Sequence, residues 1–373
     1  MVTTSAILPQ DRIARRLKRY REDQRQTQQQ LAAAMGFNDR QTLAAIEAGE
    51  RRINPDELAM AAEALDQDID AFLDPFRLVG EGDFNFRVER EANEADIESF
   101  AGRAGTWIAT YRELCARAGV SPQLMSHRLE LREDSTFEQA QAAAEALWHL
   151  WDLGDVPADR LEEAITRRLD VLVLYVDAPH GISGAASQLP GLQTILVNRR
   201  ESLGRRMYDL AHELFHVLTW DAMPPKRVEP YEVKTSKGNR VEQLANNFAA
   251  ALLMPAPIMK LRWERKGEGA FDEWVMYTAN ALRVSAKALQ WRLVTLKMIS
   301  KAAIRDLMSE AAALDVLPLL FSSAFVERVH DAVEGGRLSL RKAASLLGLS
   351  LSAFAELCRS YGRPLSYDVH VTA

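Results

Sequence analysis

Cysteine is scarce in this chain: only Cys115 and Cys358 occur among its 373 residues. Two cysteines cannot build a disulfide framework or a cysteine-rich zinc site, so zinc ligands would have to be histidine or carboxylate, and we expect a reducing cytoplasm. Long apolar runs are missing too. The chain contains no run of about eighteen apolar residues, which is the length that a helix needs to cross a bilayer. The N-terminus also lacks the apolar segment of a secretory signal, so no membrane partner is expected.

An overall excess of positive charge is also missing, because the formal net charge is −6. This excludes a chain that coats nucleic acid along its whole length. The first 56 residues nevertheless carry ten Lys and Arg against seven acids, so they form a local basic module of about +3. With 47% apolar and 26% charged residues the composition is that of a globular protein. A chain of this length predicts two or three domains.

The basic module has the pattern of five short helices between Asp11 and Leu73. Gly36 ends the second helix, and the third runs from about Arg40 to Ala48. The spacing of a small residue, a turn glycine and two apolar residues is typical of a helix-turn-helix, because it lets two helices cross and packs the second on the first. The residues with this spacing are Ala32, Gly36, Leu43 and Ile46.

The runs LAAAMG at 31–36 and IEAGERR at 46–52, followed by 58–65, resemble the lambda-repressor-like (XRE) helix-turn-helix family. This resemblance implies double-stranded DNA as a partner and a recognition helix that begins near Arg40. The alternative is a module that only binds protein or dimerises. The implied base-edge contacts are Arg40, Gln41 and Thr42, the implied phosphate contacts are Arg51 and Arg52, and Gln28 is a further DNA contact.

The pattern over residues 76–157 predicts a helical linker. Near Asp170 the sequence pattern changes from one typical of helices to one typical of strands. Two runs of β-branched and apolar residues, at 171–176 and 192–198, predict buried strands. A third short strand is predicted between them, over 181–187. The sequence therefore predicts a small sheet directly before a helix from Leu203 to Thr219.

That helix carries the pentapeptide His212-Glu213-Leu214-Phe215-His216. Two imidazoles at positions i and i+4 lie on one helical face, one turn apart, which is the separation that a single zinc ion needs. Glu213 can accept the proton of a water that attacks a carbonyl, and can pass it to the leaving amine, without being a ligand. The motif predicts zinc-dependent hydrolysis with Glu213 as the catalytic base.

Two histidines leave a catalytic zinc site one protein ligand short. Glu242 begins a strong helix that ends at Pro255, whereas Asp221, Glu229 and Glu232 fall in a proline-containing loop that fixes them less well. The position on a helix favours Glu242 as the third ligand and leaves the loop acids as alternatives.

The block 206–216, followed by the second helix from Glu242 to Pro255, resembles the ImmA/IrrE family of metallopeptidases over about 171–299. Tyr208 and Asp209 stand where that family usually has Phe-Thr. The resemblance implies a gluzincin-like peptidase fold, Glu242 as the third zinc ligand and an XRE-type repressor or antitoxin as the protein substrate.

Downstream, the residues around Ala344, Gly348 and Phe354 repeat the spacing of the first module and predict a second helical, helix-turn-helix-like unit. Its weak basic charge favours a protein contact or homodimerisation over DNA reading. The fold class expected for the whole chain is mainly α with a small β-sheet (α+β). The expected domains are a helix-turn-helix domain at 9–75, the helical linker at 76–157, a peptidase domain at 158–300 and a helical C-terminal domain at 313–370.

Two functions from different classes fit the sequence. The first is a DNA-binding regulator with a zinc endopeptidase that cleaves a repressor or antitoxin. The second is a transcriptional regulator or antitoxin whose peptidase-like domain is a non-catalytic sensor or scaffold. The intact set of His212, Glu213, His216 and Glu242 favours the first, because a scaffold has no chemical need for Glu213.

Overall fold

A computed structural model describes most of the chain: residues 9–80, 82–88, 93–120, 128–224, 228–230, 240–307 and 316–366. Within these ranges the N-terminal module has the five helices predicted, which are α1 (Pro9–Asp23), α2 (Gln28–Ala34), α3 (Arg40–Glu47), α4 (Pro55–Ala64) and α5 (Ile69–Leu73). Helix starts are fixed by side-chain caps. Thr27 and Asn54 each form a reciprocal capping box, and Asp39 accepts a hydrogen bond from the Thr42 amide.

In the part of the chain that the structure describes, the core of this module contains only the module's own residues. Its buried side chains include Leu17, Leu31, Leu43, Ile46 and Phe72. Gly36 has a φ of +71° in the turn between α2 and α3, a conformation that costs glycine little.

Within the described ranges five strands form one sheet, in the order β2-β4-β3-β1-β5. They are β1 (Asp83–Val88), β2 (Leu172–Val176), β3 (Ile182–Leu189), β4 (Leu192–Asn198) and β5 (Val228–Pro230). Strand β2 is parallel to β4, β3 is antiparallel to both β4 and β1, and β5 is parallel to β1. The three strands predicted between 171 and 198 are confirmed.

Strand β1 corrects the prediction of a wholly helical linker over 76–157. Its sequence, DFNFRV, alternates apolar and polar residues with the period of a strand. The backbone groups of a strand form hydrogen bonds only with another strand. The stability of β1 therefore depends on pairing with β3, which follows it by about a hundred residues. The sequence on either side of β1 has long helical patterns, and for this reason the whole segment was predicted to be helical.

Helices cover both faces of the sheet. The described helices after β1 are α6 (Glu94–Arg117), α7 (Phe137–Trp151), α8 (Ala158–Leu169), α9 (Leu203–Thr219), α10 (Arg240–Leu253), α11 (Ala256–Glu264), α12 (Phe271–Ala281), α13 (Ala286–Thr295), α14 (Ser323–Glu334), α15 (Leu340–Leu347) and α16 (Leu351–Ser360). On the face that presents Val173 and Ile195, the core contains α7 to α13, of which α8 and α9 pack directly on the strands. On the other face, which presents Leu174 and Leu196, the core contains α6 and α14 to α16. The α+β fold class is confirmed.

No helix in the described part of the chain is long and apolar enough to span a membrane. Both cysteines are buried, as expected of core residues. Burial raises the pKa of the Cys358 thiol to about 11.

Candidate metal centre and DNA-binding surface

Helix α9 runs through the interior of the protein. From Asp209 to Thr219 every side chain on it is buried. Its apolar residues pack against the sheet and against α10, where the rings of Phe215 and Phe248 lie 5.5 Å apart between centroids. This packing fixes the rotation of α9 and places His212 and His216 toward α10.

Three side chains from the two helices converge on one point. The Nε2 atoms of His212 and His216 are 3.1 Å apart, and each lies 3.0 Å from a carboxylate oxygen of Glu242. One ligand atom from each residue lies within 4.8 Å of the other two, and all three residues are buried. The structure therefore brings together the three residues predicted as metal ligands.

The donor set fits a metal ion. Ligand atoms about 2.1 Å from a tetrahedral zinc lie about 3.4 Å from one another, close to the separations seen here. Burial lowers the pKa of His212 to about 3, so its ring is neutral. Burial acts to raise the pKa of Glu242, but its interactions with His216 and His212 outweigh this and hold that pKa well below its ordinary value. Neutral imidazole and ionised carboxylate are the forms that bind metals.

Asn246 orients the first histidine. It lies one turn after Glu242 on α10, and its Oδ1 atom is 3.2 Å from Nδ1 of His212. An amide oxygen only accepts hydrogen bonds, so His212 Nδ1–H donates to it and the lone pair of Nε2 faces the cluster. The Tyr208 hydroxyl donates to the backbone oxygen of Asn246 over 3.0 Å and keeps α9 and α10 in register.

Glu213 is fully buried beside the cluster. Neither of its carboxylate oxygens has a hydrogen-bond partner among the described residues, and burial raises the pKa of this carboxyl to about 8. A Cβ on Gly184 of β3 would lie 3.5 Å from the Glu213 side chain and 3.2 Å from the Leu196 carbonyl oxygen. A buried carboxylate without donors is costly, and a nearby cation would favour its charged form. This too fits a metal ion in the cluster.

The loop acids considered as alternative ligands lie elsewhere. Asp221 is half exposed and pairs with Arg128. Glu232 and the side chain of Glu229 lie outside the described residues.

The N-terminal module presents the start of α3 to solvent. Arg40 and Gln41 are exposed, and Thr42 is half buried, with its hydroxyl on the Asp39 carboxylate. An exposed helix start with long polar side chains can enter a major groove.

Two other residues predicted to contact DNA already have partners inside the module. Gln28 donates to Glu47 over 2.9 Å. The Arg51 guanidinium makes two hydrogen bonds to Glu57, at 3.0 and 2.6 Å. Arg52 is exposed. A DNA contact by Gln28 or Arg51 would compete with these internal bonds.

Comparison with known families finds matches for two regions of the chain. Residues 166–294 match the family model described as the IrrE N-terminal-like domain, a peptidase family, and residues 17–72 match a helix-turn-helix model. The chain joins an XRE-type helix-turn-helix domain to an ImmA/IrrE-type peptidase domain. Both resemblances found in the sequence are confirmed.

Other comparisons add little. A search of curated proteins found no significant match. One solved structure, titled "Crystal structure of PrgX/cCF10 complex", is 12% identical over 94% of each chain with a TM-score of 0.16. A TM-score this low carries no argument about fold or function.

Four residues beside the cluster of His212, His216 and Glu242 form a network that the sequence did not reveal. Arg87 of β1 donates to Asp209 over 2.8 Å and to the Asn246 side chain over 3.4 Å, and its guanidinium lies 5.7 Å from the centre of the Tyr208 ring. One signal was available. Asp209 is a charged residue on the buried face of a helix, and such a residue needs a partner of opposite charge.

In the helix-turn-helix domain, residues that contact bases and residues that contact phosphates should respond differently to mutation. In the full chain, Arg40→Ala with Gln41→Ala should reduce discrimination between operator and random duplex by about 1–3 kcal/mol for each base that the domain no longer reads. Arg52→Ala should weaken binding to all sequences alike and reduce the slope of log K against log salt by about 0.9. Fluorescence anisotropy over a salt series measures both effects.

Arg167→Ala is the matched control, because this arginine is exposed on α8, away from the helix-turn-helix domain. Equal binding by the wild type, the Arg40 and Gln41 double variant and Arg52→Ala would show that these side chains do not contact DNA.

Proposed function

We propose that this protein is a DNA-binding regulator with a zinc-dependent endopeptidase, which cleaves an XRE-type repressor or antitoxin to control transcription. The observation that carries this proposal is the cluster of His212, His216 and Glu242 beside the buried carboxylate of Glu213, which has no hydrogen-bond partner among the described residues. A metal-binding scaffold needs the three ligands but gains nothing from burying a fourth group without partners.

In this proposal His212, His216 and Glu242 hold the zinc ion. When bound, zinc lowers the pKa of water and polarises the carbonyl of the scissile peptide. Glu213 takes the proton from the attacking water and delivers it to the leaving amine. Asn246 keeps His212 in the tautomer whose Nε2 faces the cluster.

The regulatory part of the proposal rests on the fusion itself. A helix-turn-helix domain supports binding of double-stranded DNA. A peptidase carried on the same chain is thereby brought to the operators at which repressors of the same type act. Assembly as a homodimer would match the two-fold symmetry of such operators.

One observation favours the sensor alternative. The side chains of His212, His216 and Glu242 are at most 3% exposed, and Glu213 is also fully buried. A substrate therefore reaches the cluster only after a neighbouring element moves, whereas a metal sensor needs no such access.

A cleavage assay decides between the two functions. The purified, zinc-loaded chain is incubated with the XRE-type protein encoded beside its gene, and intact mass spectrometry follows the partner. Two product masses that add up to the partner plus one water support the proposal. An intact partner, in the presence of a protein that carries zinc and binds the operator, supports the sensor.

Asn246→Leu should weaken zinc binding by about 10- to 100-fold, because His212 loses the acceptor that fixes its tautomer. Competition with a coloured chelator measures the affinity. Asn247→Leu is the control, since the Asn247 side chain bonds to Gln141 and to the Gln243 carbonyl instead. Equal zinc affinities for the two variants would remove Asn246 from the site.

A further inference from the structure

Strand β1 lies outside the part of the chain that matches the peptidase family. The matched residues, 166–294, include β2, β3 and β4 together with α9 and α10. Strand β1 comes from the segment between the two domains and pairs antiparallel with β3 from Asp83↔Gln188 to Val88↔Ile182. Without β1, the edge of β3 that faces away from β4 would be open in the described part of this sheet.

That edge passes beside the catalytic carboxylate. Gly184 of β3 lies beside Glu213, because a Cβ at Gly184 would be 3.5 Å from the Glu213 side chain, and the residue of β1 in register with Gly184 is Arg87. An extended peptide binds an open strand edge by adding a strand, with its backbone hydrogen bonds supplying affinity. The edge of β3 is thus the place where a substrate would lie in reach of Glu213, and β1 covers it.

Arg87 is held there by an ion pair in the interior. Its guanidinium lies 2.8 Å from Oδ1 of Asp209, and the two side chains are 4% and 0% exposed. Asp209 is one helical turn before Glu213, so both carboxylates lie on the same side of α9. A buried carboxylate requires a cation. Asn246 provides a second acceptor beside Asp209, and the forked guanidinium of an arginine can donate to both acceptors, which suits it better than the single ammonium group of a lysine.

We propose that β1 is an internal substrate mimic, which occupies the strand position of a substrate against β3, and that Asp209 is the subsite for an arginine side chain of that substrate. This inference rests on the proposed function. The substrate is then an extended segment with an arginine in register with Gly184. It binds after β1 leaves the edge of β3, so the segment that joins the two domains controls the peptidase.

The first test is a binding experiment with two synthetic fluorescent peptides. One has the β1 sequence Asp-Phe-Asn-Phe-Arg-Val, and its twin has alanine in place of arginine. The protein is the zinc-loaded full chain with Glu213→Gln, so that neither peptide is consumed. Adding Arg87→Ala should raise affinity for the first peptide by about ten-fold or more, because β1 loses its buried ion pair.

The arginine of the peptide and Asp209 should act together. In the Arg87→Ala protein the arginine peptide should bind about 10- to 100-fold more tightly than its twin, as expected for a charge-assisted hydrogen bond. Asp209→Asn should remove this difference. Equal affinities of the two peptides for the Arg87→Ala protein would overturn the subsite.

Arg292→Ala is the matched control for lower stability. Arg292 is also buried, with a side chain 1% exposed, and it pairs with Glu145 over 2.7 Å, away from the sheet. This variant should leave peptide affinity unchanged. A rise as large as that of Arg87→Ala would show general loosening, and no rise in a folded Arg87→Ala protein would show that β1 is only structural.

A reversible lock tests the same inference if Arg87→Ala does not fold. Asn85 and Ala186 are direct partners across β1 and β3, at a separation that suits a disulfide. In the chain with Asn85→Cys and Ala186→Cys, oxidation should abolish binding of the arginine peptide and reduction should restore it. Binding that does not depend on oxidation would overturn the proposal.

These readouts separate the inference from the proposed function. Peptide binding that follows the predictions, without cleavage by any variant that retains Glu213, refutes proteolysis and keeps the role of β1. Cleavage that is the same with β1 locked or free refutes the role of β1 and keeps proteolysis.

Discussion

Replacement of Glu213 by Gln should lower cleavage of the partner protein by about 10²- to 10⁴-fold, the usual effect of losing a general base. The amide is nearly the same size as the carboxyl and fits the space beside Gly184, but it cannot take a proton from water. Zinc content and the thermal unfolding midpoint should stay near those of the wild type, because Glu213 is not among the three clustered ligands. Single-turnover assays, metal analysis and thermal denaturation measure the three quantities on one preparation.

The surface variant Glu163→Gln makes the same chemical change at an exposed carboxylate of α8 and should keep full activity. In cells, the comparison with His212→Ala is decisive. If Glu213→Gln regulates transcription like the wild type while His212→Ala fails, the metal has a structural role and no catalytic role.

Replacement of both His212 and His216 by Ala should empty the metal site, since only Glu242 would remain of the three clustered ligands. The wild type should carry about one zinc ion per chain. Inductively coupled plasma mass spectrometry of protein purified without added metal gives both values. Full zinc occupancy in the double variant would show that the ligands lie elsewhere.

Asp221→Asn is the matched control for the double variant. Asp221 is the loop acid that the sequence left open as a ligand, and it is half exposed beside Arg128. Its substitution should leave about one zinc ion per chain. An empty site in this variant would move the third ligand from Glu242 to the loop.

Much of the fold could be predicted because its signals are local. Caps and glycine turns marked the helices of the first domain, and the runs at 171–176 and 192–198 marked buried strands. Strand β1 was missed because its stability comes from pairing with a distant strand. The packing of α14 to α16 on the sheet could not be predicted, since the amphipathic pattern of a helix does not identify the surface that covers it.

The candidate ligands could be predicted for a similar reason. His212 and His216 are one helical turn apart in the sequence itself, and Glu242 and Asn246 repeat that spacing on α10. Arg87 and Asp209 are 122 positions apart. The local sequence around either residue does not indicate that the other is its partner. Their ion pair can therefore be recognised only in the folded structure, where β1 pairs with β3.

The shared core of α6, the sheet and α14 to α16 sets the order in which the chain can fold during synthesis. The ribosome releases the N-terminus first, and the described helix-turn-helix core is complete once residue 72 has been made. The core on the sheet face around Leu174 and Leu196 already has α6 but stays incomplete until Phe325 and Phe354 have been made. A chain that terminates before α14 therefore holds a complete helix-turn-helix domain beside a sheet with one incompletely covered apolar face, and exposed apolar surface of this kind favours degradation.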